Sequence, residues 1–192
     1  TVREDEKTVH QDISLPIDFR TDSTAVQTFL DSQNILDFDW DNQIGVYANR
    51  IIRIDLSDLG ITMLHSSIEK IEKLRSVNLS NNRLTEFPSS LLKLNDINEL
   101  AFSGIQVDSL WPELLQIEGL LRLKLDSMSL SSLPANFGTL SKICVLSMDK
   151  NEFTRIPAQL CRLTKLERLS MAKNRITHLD SCLYSMTALE RL

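Results

Sequence analysis

The segment LRSVNLSNNRLTEFPSSLLKLND, residues 74–96, is one complete unit of a pattern that returns every 23 residues. We number the positions within each unit from 1 to 23. Successive units begin, without a slip, at Ile51, Leu74, Ile97, Leu120, Ile143, Leu166 and Leu189. Positions 1, 4, 6, 11, 14, 18 and 21 are apolar in all six complete units, although only 42% of the chain is apolar. A fixed period of this length is typical of a solenoid, in which each unit buries its apolar side against its neighbours.

The spacing of apolar residues within a unit predicts its secondary structure. Positions 4 and 6 are apolar between mostly polar neighbours, and this period of two predicts a short strand with one buried side. Positions 14, 18 and 21 have helical spacing, and proline at position 15 (Pro88, Pro134, Pro157) suits the first turn of a short helix. Stacked units therefore predict an α/β repeat fold. It is a curved solenoid with a parallel β-sheet on the concave face and short helices or 3₁₀ turns on the convex face.

The quoted unit resembles a leucine-rich repeat, because it carries the L-x-x-L-x-L-x-x-N-x-L core of that family. Its length and its P-x-x-L-x-x-L tail are similar to the intracellular type found in the Ras-suppressor and Scribble group. The resemblance covers Ile51 to Leu192. It implies a solenoid that binds a protein partner.

Two departures from the family pattern stand out. The family places asparagine at position 9, where its amide satisfies backbone groups of the turn. Asparagine is present as Asn82, Asn151 and Asn174, but Leu59, Ile105 and Met128 replace it elsewhere. We expect those turns to lose a backbone partner, at about 1–3 kcal/mol for a group left buried and unpaired. The third unit also has Trp111-Pro112 in place of the usual proline. This is either local drift or an exposed Trp111 that marks a contact on the convex edge.

The first 50 residues do not fit the repeat. Residues 1–21 are predicted to be a mobile tail, and residues 22–50 an N-terminal cap that covers the first repeat. The cap is predicted to contain a helix from Asp22 or Ser23 to about Gln33. Two short strands, 36–40 and 44–48, are predicted around an Asp41-Asn42 turn. The cap sequence resembles that of plant-type leucine-rich proteins, but lacks their paired cysteines. Residues 51–192 form the repeats, which stop at position 4 of a seventh unit, so we expect the natural protein to continue.

Charge divides the chain along its length. Residues 1–50 carry a net charge of −6, residues 51–119 of −4 and residues 120–192 of +5. Positions 2, 3, 5, 7 and 8 are expected to face the concave side, which predicts an acidic-to-basic gradient there or, equally, ordinary solvated charge. The predicted partner-binding residues are Arg53, Asp55, Asp58, Arg75, Asn78, Arg122, Lys124, Lys150, Arg168 and Lys173.

The sequence offers no catalytic, metal-binding or cofactor-binding motif. His10, His65 and His178 lie far apart, and no glycine-rich phosphate loop occurs. Asp37, Asp39 and Asp41 alternate as in a calcium loop, but the sequence lacks the glycine and distal glutamate of that loop. We therefore interpret them as the solvent-exposed face of a strand. The basic end has no interleaved aromatic residues, which argues against nucleic-acid binding. No apolar run approaches the length of a membrane span.

We therefore predict a non-enzymatic protein–protein interaction module, a scaffold or signalling regulator, that is monomeric and binds a protein on its concave face without a cofactor. Three cysteines, Cys144, Cys161 and Cys182, are an odd number, and we expect reduced thiols and a cytoplasmic location. Two alternatives stay open. The chain is the ligand-binding region of a secreted or membrane-tethered receptor, or it is the targeting part of a larger signalling enzyme whose catalytic domain follows residue 192.

Overall fold

The strands form one continuous sheet, as the 23-residue period requires. A computed structural model describes residues 17–106, 110–179 and 181–192, and of residues 17, 182 and 185 only the backbone. Its seven strands are β1 (Ile44–Tyr47), β2 (Arg50–Asp55), β3 (Ser76–Asn78), β4 (Glu99–Ala101), β5 (Arg122–Lys124), β6 (Val145–Ser147) and β7 (Arg168–Ser170). They are neighbours in chain order. From β2 onward all pairs are parallel, and each residue faces the residue 23 positions later. The predicted solenoid is confirmed.

The return from each strand runs through a short helical segment on the convex side. Most of these are 3₁₀ helices: Ser66–Lys70, Ser89–Lys93, Phe137–Thr139, Ala158–Arg162 and Ser181–Ser185. Pro88 and Pro157 directly precede two of them, as the proline spacing predicts. In the third unit the segment is instead a short α-helix, Trp111–Leu114. Most apolar positions of the repeat fill one core between strands and helical segments, with Phe102, Phe137 and Phe153 fully buried. Leu179, at position 14 of the sixth unit, is exposed instead.

The third-unit tryptophan belongs to this core. Trp111 is half-buried, and its ring meets that of Phe137 edge-on at a centroid distance of 5.8 Å. Aromatic pairs of this geometry stabilise a core beyond the area they bury. Trp111 is therefore not an exposed residue as the contact interpretation assumes, because the neighbouring unit covers part of its ring.

Helix α1 (Ile17–Ser32) packs on the first repeat and begins five residues before the predicted cap residue. Its apolar residues Val26, Phe29 and Leu30 lie on one side and are buried. Asp22 lies inside the helix, so the prediction that it caps the N-terminus is wrong. Its fully buried carboxylate instead accepts hydrogen bonds from Arg50 and from the Ile51 amide. The remainder of the predicted tail, residues 1–16, lies outside the described residues.

The cap contributes one strand rather than two. Residues 36–39 are not a strand, and Trp40–Gln43 forms a short helix, α2, capped by the Asp39 side chain at 3.2 Å from the Asn42 amide. The chain then turns at Ala48 and Asn49, both with positive φ, and pairs β1 antiparallel to β2. The second predicted strand is confirmed. The first is wrong, because residues 36–39 have no strand structure and Trp40 begins α2.

Where position 9 is an asparagine, its side chain ties the turn to the preceding unit. The Asn82 amide donates to the Leu56 and Leu79 carbonyls at 2.7 and 2.8 Å, and its oxygen accepts the Ile61 N–H. The Asn151 side-chain oxygen likewise accepts the Met128 and Leu130 amides. The expectation that the Leu59 and Met128 turns lose their amide partner is therefore wrong, because the asparagine of the next unit supplies it.

The cysteines do not all behave as predicted. Cys161 is disulfide-bonded, which contradicts the expectation of reduced thiols. Cys144 is free, and its thiol lies 3.3 Å from the Leu121 carbonyl oxygen. The side chain of Cys182 lies outside the described residues. An odd number of cysteines permits a disulfide beside one free thiol. Which residues meet depends on how units stack, and the spacing along the chain does not show it.

Alkylation of the denatured protein with iodoacetamide tests this arrangement. Without reductant we expect the label on Cys144 and not on Cys161, whereas after reduction both should be labelled. Peptide mass spectrometry measures each site separately. Full labelling of Cys161 before reduction would contradict the disulfide.

Candidate functional site

The concave face consists of the outward side chains of the parallel strands and of the turns that follow them. Within each strand the residue at position 4, such as Leu100 or Leu123, is fully buried, so positions 3 and 5 face outward. In-register pairing then aligns equivalent positions in rows across the sheet. Neighbouring strands lie about 4.8 Å apart, which places side chains of one row within contact of each other.

At the N-terminal end of this face, polar side chains are bound to each other. The Asp55 carboxylate accepts hydrogen bonds from Ser57 and from the Asn78 amide at 2.6 and 3.0 Å, and lies 3.5 Å from Arg53. Burial favours the neutral acid, but the hydrogen bonds from Ser57 and Asn78 outweigh it and hold the pKa of Asp55 below its usual value. This acid is a fixed part of the sheet surface.

Two carboxylates at position 7 link neighbouring units near the middle of the face. Asp126 accepts the Ser147 hydroxyl at 2.6 Å and the Asp149 amide at 2.8 Å. Asp149 repeats the arrangement one unit later, with Ser170 at 2.6 Å and the Ala172 amide at 2.7 Å. These charge-assisted bonds satisfy one oxygen of each carboxylate from inside the protein.

The basic residues of these units lack such close internal hydrogen bonds. Arg122 lies 3.8 Å from Glu99, a weak exposed ion pair. The side chains of Lys124, Lys150, Arg168 and Lys173 are exposed and make no hydrogen bond or ion pair with any described residue. The concave face of the last three complete units thus combines internally bonded carboxylates with free cations.

A polar depression of about 250 Å³ lies between the two ends. It forms because small residues such as Ser76, Ala101 and Ser103 stand between longer ones, Arg53 on one wall and Lys124 on the other. Its remaining lining residues are Asp55, Val77, Asn78, Ser80, Glu99 and Asp126. Both signs of charge reach this space, which suits a polar group of a partner.

The depression unites only part of the predicted binding set. It contains Arg53, Asp55, Asn78 and Lys124. The other predicted residues, Asp58, Arg75, Arg122, Lys150, Arg168 and Lys173, lie outside it, and whether any of the ten binds a partner stays a prediction. The set omits Asp126, which both lines the depression and joins two units. A signal for it exists in the sequence, because an aspartate at position 7 twice precedes a serine at position 5 of the next unit.

Other kinds of site are not supported by the described residues. Within residues 17–106, 110–179 and 181–192, no group of three or more His, Cys, Asp or Glu could hold a metal ion. Asp39 is the cap of α2, and hydrogen bonds from Asn42 lower its pKa. Among the helices that are described, none is long and apolar enough to span a membrane.

The sequence matches one family model, that of the Leucine Rich Repeat, over residues 73–94. No curated protein sequence matches the chain. Among solved structures it is similar to an internalin C2 from Listeria monocytogenes, with 22% identity and a TM-score of 0.63, covering 92% of this chain and 76% of that one.

Two further structures resemble the chain. One is a leucine-rich repeat protein of Leptospira interrogans, at 23% identity and a TM-score of 0.59, covering 78% of this chain. The chain spans only 43% of the length of that protein. The other is the ectodomain of the receptor kinase SOBIR1 from Arabidopsis thaliana, at 20% identity and a TM-score of 0.58, covering 83% of this chain and 94% of that one. Likeness at these identities shows a shared fold alone.

Proposed function

We propose that this leucine-rich repeat solenoid is a non-enzymatic recognition module that binds a protein partner on its concave face. The observation that carries the proposal is the group of exposed cations on this face that have no partner among the described residues: Lys124, Lys150, Arg168 and Lys173. Fixed acids beside free cations create a surface that orients an approaching charged protein. A role as scaffold or signalling regulator, and membership of the Ras-suppressor and Scribble group, are finer forms of the same proposal.

Charge reversal tests the concave face. Captured partner proteins are identified by mass spectrometry, purified, and measured against the chain and its Lys124→Glu, Lys150→Glu double variant. Since exposed charges steer association, we expect the association rate at low salt to fall about tenfold or more and to depend less on salt. Surface plasmon resonance at several salt concentrations gives both quantities.

A matched control makes the same charge change away from this face. Lys142 and Lys165 are exposed and precede strands at position 23, so Lys142→Glu, Lys165→Glu should retain most of the binding rate. Equal rates and equal salt dependence in the concave variant and the unaltered chain would count against the proposal.

A second candidate function is the ligand-binding region of a secreted or cell-surface protein. The disulfide at Cys161 favours it, because disulfides persist in oxidising compartments and are rare in the cytoplasm. The same observation removes the argument from reduced thiols for a cytoplasmic location. Cell fractionation of the protein in its own organism, with thiols alkylated at lysis, distinguishes the two. Recovery in the cytoplasm with Cys161 reduced would exclude the second candidate.

A further inference from the structure

We infer that Lys150 and Lys173 form a paired cation site for adjacent carboxylates of an acidic peptide segment in the partner. The inference rests on the proposed function and names the partner chemistry that the C-terminal part of the concave face would take. Three properties of these lysines carry it: their backbone conformation, their spacing and their lack of partners.

Both lysines adopt a backbone conformation that is unfavourable for a lysine residue. Position 8 has positive φ in every complete unit, from 54° to 72°. Glycine tolerates this left-handed conformation, and asparagine and aspartate do so because their short side chains hydrogen-bond locally. The first four units use such residues or serine there: Asp58, Asn81, Gly104 and Ser127. Lysine has neither advantage, yet it occupies the position in two consecutive units, with φ of 54° at Lys150 and 57° at Lys173. Strained residues of this kind cluster at functional sites.

The two ammonium groups also repel each other. The Lys150 amide donates to the carbonyl of Ala172, the residue before Lys173, at 2.8 Å, so the two lysines extend from adjacent turns. Like charges at directly facing positions are destabilising. Asp149, the residue before Lys150, already accepts the Ser170 hydroxyl and the Ala172 amide through one oxygen. The free protein therefore carries both strain and repulsion at this point, and an incoming pair of carboxylates relieves the repulsion.

An acidic peptide fits the surroundings better than a nucleic acid. Each lysine offers a point charge to one carboxylate. No aromatic side chain lies beside these lysines at positions 3, 5, 7 or 8 of the repeats to stack on a base. Lys124 and Arg168 are exposed and extend the positive surface for a short acidic segment.

Binding of a fluorescein-labelled deca-glutamate peptide tests the inference by anisotropy at low salt, with deca-glutamine as the neutral probe. The unaltered chain should bind deca-glutamate and not deca-glutamine. The Lys150→Asn, Lys173→Asn double variant should bind it at least tenfold more weakly. Because asparagine tolerates positive φ, the same variant should also melt about 2–4 °C higher. This combination of lost binding and gained stability distinguishes a functional site from a structural one.

Lys142→Asn, Lys165→Asn is the matched control, with equal loss of charge and no positive φ to relieve. It should change affinity less than threefold and leave the melting temperature unchanged. Undiminished deca-glutamate binding by the position 8 variant, or a lower melting temperature, would overturn the inference. Displacement of the peptide by inorganic phosphate or an oligonucleotide at equal ionic strength would overturn the choice of ligand. None of these results decides whether the concave face binds a protein, which the Lys124 and Lys150 charge reversal addresses.

Discussion

Replacing Asn151 with alanine is expected to lower the free energy of unfolding by about 3–4 kcal/mol. The side chain is buried, and its oxygen accepts the Met128 and Leu130 amides, both at 3.0 Å. Its amide donates to the Leu125 and Met148 carbonyls at 2.8 and 3.0 Å. Alanine leaves two backbone donors of the preceding unit without a partner, the Met128 amide in a buried place and the Leu130 amide in a part-buried one. Urea unfolding followed by circular dichroism measures the loss.

The other position 9 asparagines offer a graded comparison. Asn174 bonds the same kind of groups, the Phe153 amide and the Met148 carbonyl, but it is only half-buried. Because water can replace part of its bonding, Asn174→Ala should cost about 1–2 kcal/mol. If the two variants lost equal stability, burial of the orphaned donors would not be the cause. Asn151→Asp keeps the acceptor and supplies an intermediate case should the alanine variant fail to fold.

The second large effect is expected at the cap, where Asp22→Ala should cost about 3 kcal/mol. The fully buried Asp22 carboxylate accepts Arg50 at 2.9 and 3.1 Å and the Ile51 amide at 2.9 Å. The hydrogen bond to Asp22 raises the pKa of Arg50. Removing the carboxylate leaves the partly buried guanidinium unpaired and releases the first residue of the first repeat. The estimate is at the lower end for a buried pair, because Arg50 keeps some solvent contact.

Amide hydrogen exchange locates this loss, since the Ile51 amide should exchange faster in Asp22→Ala than in the unaltered chain. In a stack stabilised by neighbour contacts, we expect the faster exchange to concentrate in α1 and the first unit. Asp31→Ala is the control, because Asp31 lies on the exposed side of the same helix and accepts only the Gln27 amide among the described residues. It should change stability by less than about 0.5 kcal/mol. Unchanged exchange at Ile51 in Asp22→Ala would show that the ion pair does not hold the cap.

The repeats were predictable because one short unit determines the register of all the others. The buried positions of residues 51–170 and the concave strands follow from the period alone. The cap sequence has no repeating pattern. The sequence therefore indicates the cap helix but not its start at Ile17, and it does not indicate α2. Asp22 looks like a capping residue in sequence. Its role as the partner of Arg50 depends on a contact between residues 28 positions apart.

For the candidate site too, some features follow from the sequence and others only from the tertiary structure. Sequence by itself determined which side chains line the concave face, because alternation along a strand assigns each residue to one side. Only the tertiary structure decided which charges on that face are free, because the partners of Asp55, Asp126 and Asp149 come largely from neighbouring units. It likewise showed the disulfide at Cys161, the partly covered Trp111 and the strained lysines at position 8. Periodicity specifies direction and burial for each residue separately, whereas pairing and backbone strain are properties of the stacked units.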